Sequence, residues 1–301
     1  MISKTKEGDV MYELIQAGAH TYYMDAPTRI GFYVPDGKHA YIIDSGNSKD
    51  AAKRVRKHLD EEGWVLQGIL ATHAHADHIG GNRYLQQLYD CKCFARGVEA
   101  VIANDPILQP SMLYGGCPPK DLRHRFLLSD PCEAVDLSDS DYPSEITWFS
   151  LPGHSYDMVG YRTPDDVVFL GDALCSEVTL EKYGVTFLHD VGLYLQTLEQ
   201  VAQMEAALFV PCHAEPTAEI APLAQKNRER VLEIADLITS LCMEPKTHEE
   251  ILQGVFTALQ LRMDFPQQVL VGSTVRSYLS WLRDSGRVEP IVEQNRLLWK
   301  A

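Results

Sequence analysis

The stretch Thr72-His73-Ala74-His75-Ala76-Asp77-His78-Ile79-Gly80-Gly81 decides how the rest of this 301-residue chain is read. It places three histidines and an aspartate within six positions, a density of metal-type ligands that ordinary surface composition does not produce. Before it, Leu66-Gln67-Gly68-Ile69-Leu70-Ala71 reads as a buried strand. After it, Ile79, Tyr84, Leu85 and Leu88 suit one apolar face of a helix running from Asp77 towards Tyr89. The ligands therefore lie on the loop that leaves a strand end. His73 and His75, two positions apart, point to one side. Asp77 and His78, on the incoming helical turn, face a second point, so one run serves two metal ions. A histidine-rich surface loop is the bland alternative, and the flanking strand and helix argue against it.

Outward from this loop, other strands end on residues of the same kind. Glu145–Ser150 runs into Pro152-Gly153-His154, Val167–Leu170 into Gly171-Asp172, and Leu208–Pro211 into Cys212-His213. Upstream, residues 10–44 read as antiparallel strands, with a turn at Pro35-Asp36-Gly37-Lys38 and a strand ending in Asp44-Ser45-Gly46. Ser48 suits a helix N-cap, with Ala51, Ala52, Val55 and Leu59 as its stripe and Gly63 as its stop. Asp190 caps a further helix through Gln203, with Val191, Leu195, Leu198 and Val201 inward. Cys91-Lys92-Cys93 has no companion pair for a metal site and reads as a strand burying both sulfurs. Residues 104–132, broken by Pro and Gly, read as a long irregular insertion. It is either a solvated loop or a substrate cover, with Tyr114 and an anion contact from Arg123-His124-Arg125.

The run H-x-H-x-D-H followed by Gly-Gly resembles the signature of the metallo-β-lactamase-fold hydrolases, in particular the glyoxalase II-like dinuclear enzymes, over roughly residues 10–216. The resemblance implies an α/β fold, a four-layer αββα sandwich. It implies a first metal on His73, His75 and His154, a second on Asp77, His78 and His213, and Asp172 as the bridge, with Asp44 supporting the loop. Two divalent ions, zinc above all and iron or manganese as options, would hold a bridging hydroxide that attacks a small ester, thioester or lactone. Asp77 and Asp172 are then the catalytic carboxylates. The chain departs from the family in three places. Ser155-Tyr156-Asp157-Met158 stands where many members continue T-P-G-H, Cys175 where some lactonases have tyrosine, and the basic cluster of glutathione-thioester hydrolases has no match. Asp172 and the lack of an export signal argue against antibiotic hydrolysis. Phosphodiester hydrolysis at the same metals and an iron-dependent sulfur dioxygenase are the rival chemistries. A regulatory binder with a relict hydrolase domain is the non-enzymatic rival, and no ligand position has been lost to support it.

We divide the chain into a catalytic domain, 1–220, and a small C-terminal domain, 221–301. Helices over 222–243, 247–260 and 267–284, then a strand pair from Gly286 to Trp299, resemble a winged-helix module. A DNA-reading helix would use Ser273, Thr274, Arg276 and Arg283. Acidic and basic residues nearly balance here, which favours packing, homodimer formation or shaping of the substrate pocket over nucleic acid. The whole chain carries 27 Lys and Arg against 42 Asp and Glu, a net charge of −15, which opposes polyanion binding. A small-molecule substrate is expected. No apolar run is long enough for a membrane span, Met1–Asp9 lacks the apolar core of a signal peptide, and seven scattered cysteines suit free thiols in the cytoplasm.

Overall fold

The computed structural model describes residues 12–301. The signal-peptide reading at Met1–Asp9, and the start of the strand region at Val10, lie outside the described residues. The first sheet begins with β1 (Leu14–Gln16), β2 (Thr21–Met24), β3 (Ile30–Tyr33) and β4 (His39–Ile43), each antiparallel to its neighbour. Gly37 takes a φ of +75° in the β3–β4 turn, and the Asp36 carboxylate accepts the Lys38 and His39 amides. Helix α1 (Lys49–Glu62) starts on Ser48 and stops on left-handed Gly63, burying Ala51, Ala52, Val55 and Leu59 as expected. Strand β5 (Val65–Leu70) then lies parallel to β4.

A bulge sits in that pair. Ala40 faces Leu66 but Tyr41 faces Gly68, so Gln67 is an extra residue in β5. It brings Leu66 and Ile69, three apart, onto the same helix-covered face, where strict alternation would separate them. The chain continues through α2 (Ala76–Ile79), α3 (Asn82–Tyr89), β6 (Lys92–Phe94), α4 (Gly97–Asn104), α5 (Leu108–Tyr114) and β7 (Ala134–Val135). The first sheet has the order β1 to β7.

Three of our expectations change here. The helix from Asp77 to Tyr89 is two helices, broken at Gly80-Gly81. A Cβ on Gly80 would come within 2.6 Å of the Asn47 carbonyl carbon, and one on Gly81 within 2.6 Å of the Ser45 carbonyl oxygen. The glycines let the segment after β4 lie directly against the metal loop. Leu88, expected inward, is 45% exposed. Residues 104–132 are not irregular throughout: α5 forms there, with Pro110 in its first turn, where no amide is needed. Leu113 and Leu122 from this segment pack on Val269. Cys91 and Cys93 are buried in the first-sheet core, as expected.

The second sheet is β8 (Thr147–Ser150), β9 (Val159–Arg162) and β10 (Val167–Phe169), joined through α6 (Glu177–Tyr183) and α7 (Val191–Ala202) to β11 (Leu208–Val210). Its order is β11-β10-β9-β8, with β10 and β11 parallel. Strand alternation sorts the side chains into layers. Tyr33, Ile43, Leu70 and Phe94 meet Val159, Tyr161, Phe169 and Val210 between the sheets. Phe32, Ile42 and Ile69 face α1, α3 and α4 on one outside. Val168, Leu170 and Phe209 face α7 and the C-terminal helices on the other. The result is the αββα sandwich.

The C-terminal part is α8 (Ala221–Leu241), α9 (His248–Ala258), α10 (Phe265–Asp284) and an antiparallel hairpin of β12 (Glu289–Glu293) and β13 (Arg296–Lys300). Thr247 and Glu250 form a reciprocal capping box at the start of α9. Val231, Ile234, Val275, Leu279 and Leu282 belong to the same continuous core as Val168 and Phe209. Each such buried side chain contributes roughly 1.5–3 kcal/mol. Among the described residues no helix is long and apolar enough to cross a membrane.

Candidate metal centre

The C-terminal ends of β4, β5, β8, β10 and β11 deliver Asp44, the 72–78 loop, His154, Asp172 and His213 to one edge of the sandwich. Asp44 is fully buried and holds a left-handed φ of +63°, the kind of strain that persists where surroundings over-determine it. Its carboxylate accepts the Thr72 amide at 2.8 Å and the Thr72 hydroxyl at 2.9 Å, and lies 2.8 Å from His78 Nδ1. The expected support of the loop is thus seen as direct contacts.

His73, His75 and His154 form one cluster. His75 Nδ1 is 2.9 Å from His73 Nε2 and 3.0 Å from His154 Nε2. Asp77, His78, Asp172 and His213 form another. His213 Nε2 lies 3.4 Å from Asp77 Oδ2 and 3.3 Å from Asp172 Oδ2. Asp172 sits between the clusters, with Oδ1 at 3.1 Å from His78 Nε2 and Oδ2 at 3.5 Å from His154 Nε2. All seven residues named from the sequence therefore converge. The outward nitrogens are held as well: His78 Nδ1 by Asp44, His154 Nδ1 by the Phe187 carbonyl, and His213 Nδ1 by the Pro27 carbonyl. Donating outward leaves the other nitrogen free to ligate inward. The Thr28 hydroxyl donates to Asp77 Oδ2 at 3.3 Å.

These residues fit a pair of cations. His78 Nε2 and Asp172 Oδ1 are buried and face each other at 3.1 Å without the alignment of a hydrogen bond, and neither has another partner, an arrangement that a cation drawing on both would satisfy. Burial and neighbouring histidines hold His73 far below the usual imidazole range, His75 at about 3, and His154 also low, so all three stand neutral. At the other cluster burial pulls His78 down, but Asp172, Asp77 and Asp44 together push it well up. Asp172 foremost raises His213. Burial pushes Asp77 and Asp172 upward; the facing imidazoles, His78 first for Asp77 and His213 first for Asp172, outweigh it and hold both carboxyls low. Imidazole and carboxylate donors of this kind suit zinc, iron or manganese.

A cavity of about 170 Å³ opens on the centre, lined by His75, Asp77, His154, Asp172 and Phe187. A second, of about 380 Å³, adjoins it across His75 and Phe187. Met112 of α5 lines one side, Tyr156 and His189 another, and Ser273, Arg276, Ser277 and Trp281 of α10 a third. The face proposed for DNA reading is thus divided. Thr274 is buried, Ser273 and Arg276 face the cavity, and Arg283 is left exposed. Arg123, His124 and Arg125 line neither cavity.

Sequence reasoning missed His189, whose ring stacks 3.8 Å from that of Tyr156, and Glu99, fully buried beside the centre. Glu99 had a signal: it is a lone charge in Val98-Glu99-Ala100-Val101-Ile102-Ala103. His189 had only its place beside the Asp190 cap.

Residues 26–213 match the family model of the Metallo-beta-lactamase superfamily. The chain belongs to that superfamily. Within it, the chain is 30% identical over 190 residues to a hydroxyacylglutathione hydrolase of Shewanella loihica, covering 63% of this chain and 62% of that protein. It is 38% identical over 184 residues to one of Thiobacillus denitrificans, covering 60% and 59%. The chain thus spans about three fifths of the length of these relatives. The crystal structure of a beta-lactamase domain protein from Burkholderia ambifaria aligns with a TM-score of 0.71 at 16% identity. It covers 99% of this chain and 95% of its own, so the shared fold extends through the C-terminal helices.

Proposed function

We propose that this protein is a dinuclear metal-dependent hydrolase of small acyl compounds, a thioester first, with esters and lactones as close alternatives. One observation carries the reading: the buried His78 Nε2 and Asp172 Oδ1, which face each other without an aligned hydrogen bond, lie beside a cavity lined by Asp77, Asp172 and His154. His73, His75 and His154 would hold one ion, Asp77, His78 and His213 the other, and Asp172 both. Zinc is our first choice, with iron or manganese as options. When bound, such a pair supplies an activated water and a Lewis acid for a carbonyl. Asp77, fixed by Thr28 and facing His213, orients the attacking water and takes its proton. Asp172 keeps the two clusters in register.

The adjoining cavity would take the rest of the substrate. Phe187 and Met112 offer apolar contact, and Arg276 a charged one. The names of the hydroxyacylglutathione hydrolases support a thioester. Asp190 and Asp284 beside Arg276 weigh against a phosphodiester polyanion. We propose that 221–301 acts as a domain that shapes this cavity, not as a DNA reader. Seven free cysteines support a reducing, cytoplasmic setting. The test is metal analysis of untagged protein, then turnover on thioester, ester, lactone and phosphodiester panels with the metal found. Hydrolysis of phosphodiesters alone overturns the acyl reading. Failure to bind any divalent ion overturns the metal reading.

A further inference from the structure

We propose that Glu99 is the positioning residue of the first metal cluster, holding His73, His75 and His154 through the backbone beside them. Glu99 is fully buried near the start of α4. Its Oε2 accepts the Ala74 amide at 2.9 Å, and Ala74 is the residue between His73 and His75. Its Oε1 accepts the hydroxyl of Ser155, directly after His154, at 2.7 Å and the Asp157 amide, three positions after His154, at 3.0 Å. Every histidine of the cluster is therefore next in sequence to a residue that donates to this one carboxylate. The link is reciprocal, because Asp157 Oδ2 accepts the Val98 amide of α4 at 2.9 Å. Gly97 makes room for it: a Cβ there would sit 2.4 Å from Asp157 Oδ2.

All three partners are donors, so the position requires an acceptor at both ends. An amide satisfies one end only. In Glu99→Gln the oxygen goes to the Ser155 and Asp157 pair, and the NH2 then meets the Ala74 N–H, donor against donor. That end opens, and the 73–75 loop loses its anchor. Among the described residues no Lys, Arg or His lies within ion-pair distance of Glu99. A buried carboxylate without a cation is expensive, and what offsets that cost is the set of three donors it pairs, two of them on residues that flank the three histidines. None of its three bonds touches Asp77, His78, Asp172 or His213, so its influence falls on one cluster alone.

The proposal rests on the reading of the three histidines as ligands, and two single-site backgrounds separate the questions. His213→Ala leaves the first cluster intact and His154→Ala leaves the second; Co2+ affinity is measured in each by competition with a chelator. Glu99→Gln should weaken Co2+ binding about 10–100-fold in the His213→Ala background and by less than about twofold in the His154→Ala background. Ser155→Ala, which removes one donor of the three, should shift the first site in the same direction by less. Equal loss in both backgrounds, loss in neither, or a metal-free Glu99→Gln protein that is unfolded by circular dichroism overturns the positioning role. If the His213→Ala protein with Glu99 intact binds no Co2+, the ligand reading itself is what fails.

Discussion

The two halves of the centre are built from the same kinds of residue and work by different physics. The first, His73, His75 and His154, is neutral, and among the described residues no carboxylate touches its imidazoles except Asp172 at its border. The second collects Asp77 and Asp172 around His78 and His213, with Asp44 in contact behind His78. Each half is organised by one buried carboxylate outside it. Asp44 grips an imidazole of its half directly, whereas Glu99 grips only main chain and a serine hydroxyl. Direct contact transmits charge as well as position. Contact through the backbone transmits position alone.

The sharpest way to break this contrast is Asp172→Ala, which removes the one side chain facing both halves. The variant should stay folded, lose metal from the second half first, and lose at least about 100-fold in turnover. A folded variant with near-normal turnover would falsify the shared-carboxylate centre. Asp44→Ala should give about 10–100-fold weaker metal binding in the second half, read in the His154→Ala background, and a smaller loss in the first half, which Asp44 reaches only through Thr72 beside His73. If the first half suffers equally, the division of labour is wrong.

Proton release sharpens the same contrast. His78 and His213 are raised, so without metal they hold protons at neutral pH, and a cation must displace on the order of one to two of them. The histidines of the first half are already neutral and should release almost none. Titration calorimetry at pH 7 in buffers of different ionisation enthalpy counts the difference. Stability of the metal-free protein should follow opposite signs. The depressed imidazoles, with His75 at about 3, bind fewer protons folded than unfolded, so their contribution is lost as pH falls below about 6.5. The raised pair contributes below about 6.5, and that contribution is lost as pH rises through their folded values. His154→Ala should blunt the acid side and His213→Ala the alkaline side of a urea-midpoint profile.

Smaller effects test the surroundings. Arg276→Ala should raise KM by roughly tenfold at unchanged kcat and metal content, since it removes uniform binding far from the reacting atoms. Arg125→Ala should change neither KM nor stability beyond about 0.5 kcal/mol, because it faces no cavity. A raised KM there would restore the anion contact first suggested by the basic run.

The metal loop, its partners at three strand ends and the caps of α1 and α7 were legible because they rest on local pattern: ligand spacing, N-cap chemistry and strands that end on His or Asp. Glu99 was not, since its partners stand 25, 56 and 58 positions away and only folding joins them. Helix α5 was hidden by Pro110, which reads as a breaker unless the helix start is known. The break at Gly80-Gly81 is hidden in the sequence because the helical spacing of Leu85 and Leu88 reads back to Ile79, although Ile79 and Leu85, six positions apart, do not share a helix face. The bulge at Gln67 escaped notice because Gly68, Ile69 and Leu70 after it are buried in an unbroken run, which shows no alternation to violate.

Helix α10 carries none of the seven ligand residues, yet it walls the larger cavity. Val275, Tyr278, Leu279 and Leu282 lock its other face into the core, so the cavity-facing positions 273, 276, 277 and 280 are displayed on a rigid strip. Under the proposed reading, one share of selectivity is inherited apart from reactivity, on α10, while Met112, Tyr156, Phe187 and His189 line the same cavity from the earlier stretch. Descendants of this sequence can drift towards new substrates by exchanging a few side chains on one late helix, while the ancestral metal chemistry, encoded before residue 214, passes on unaltered.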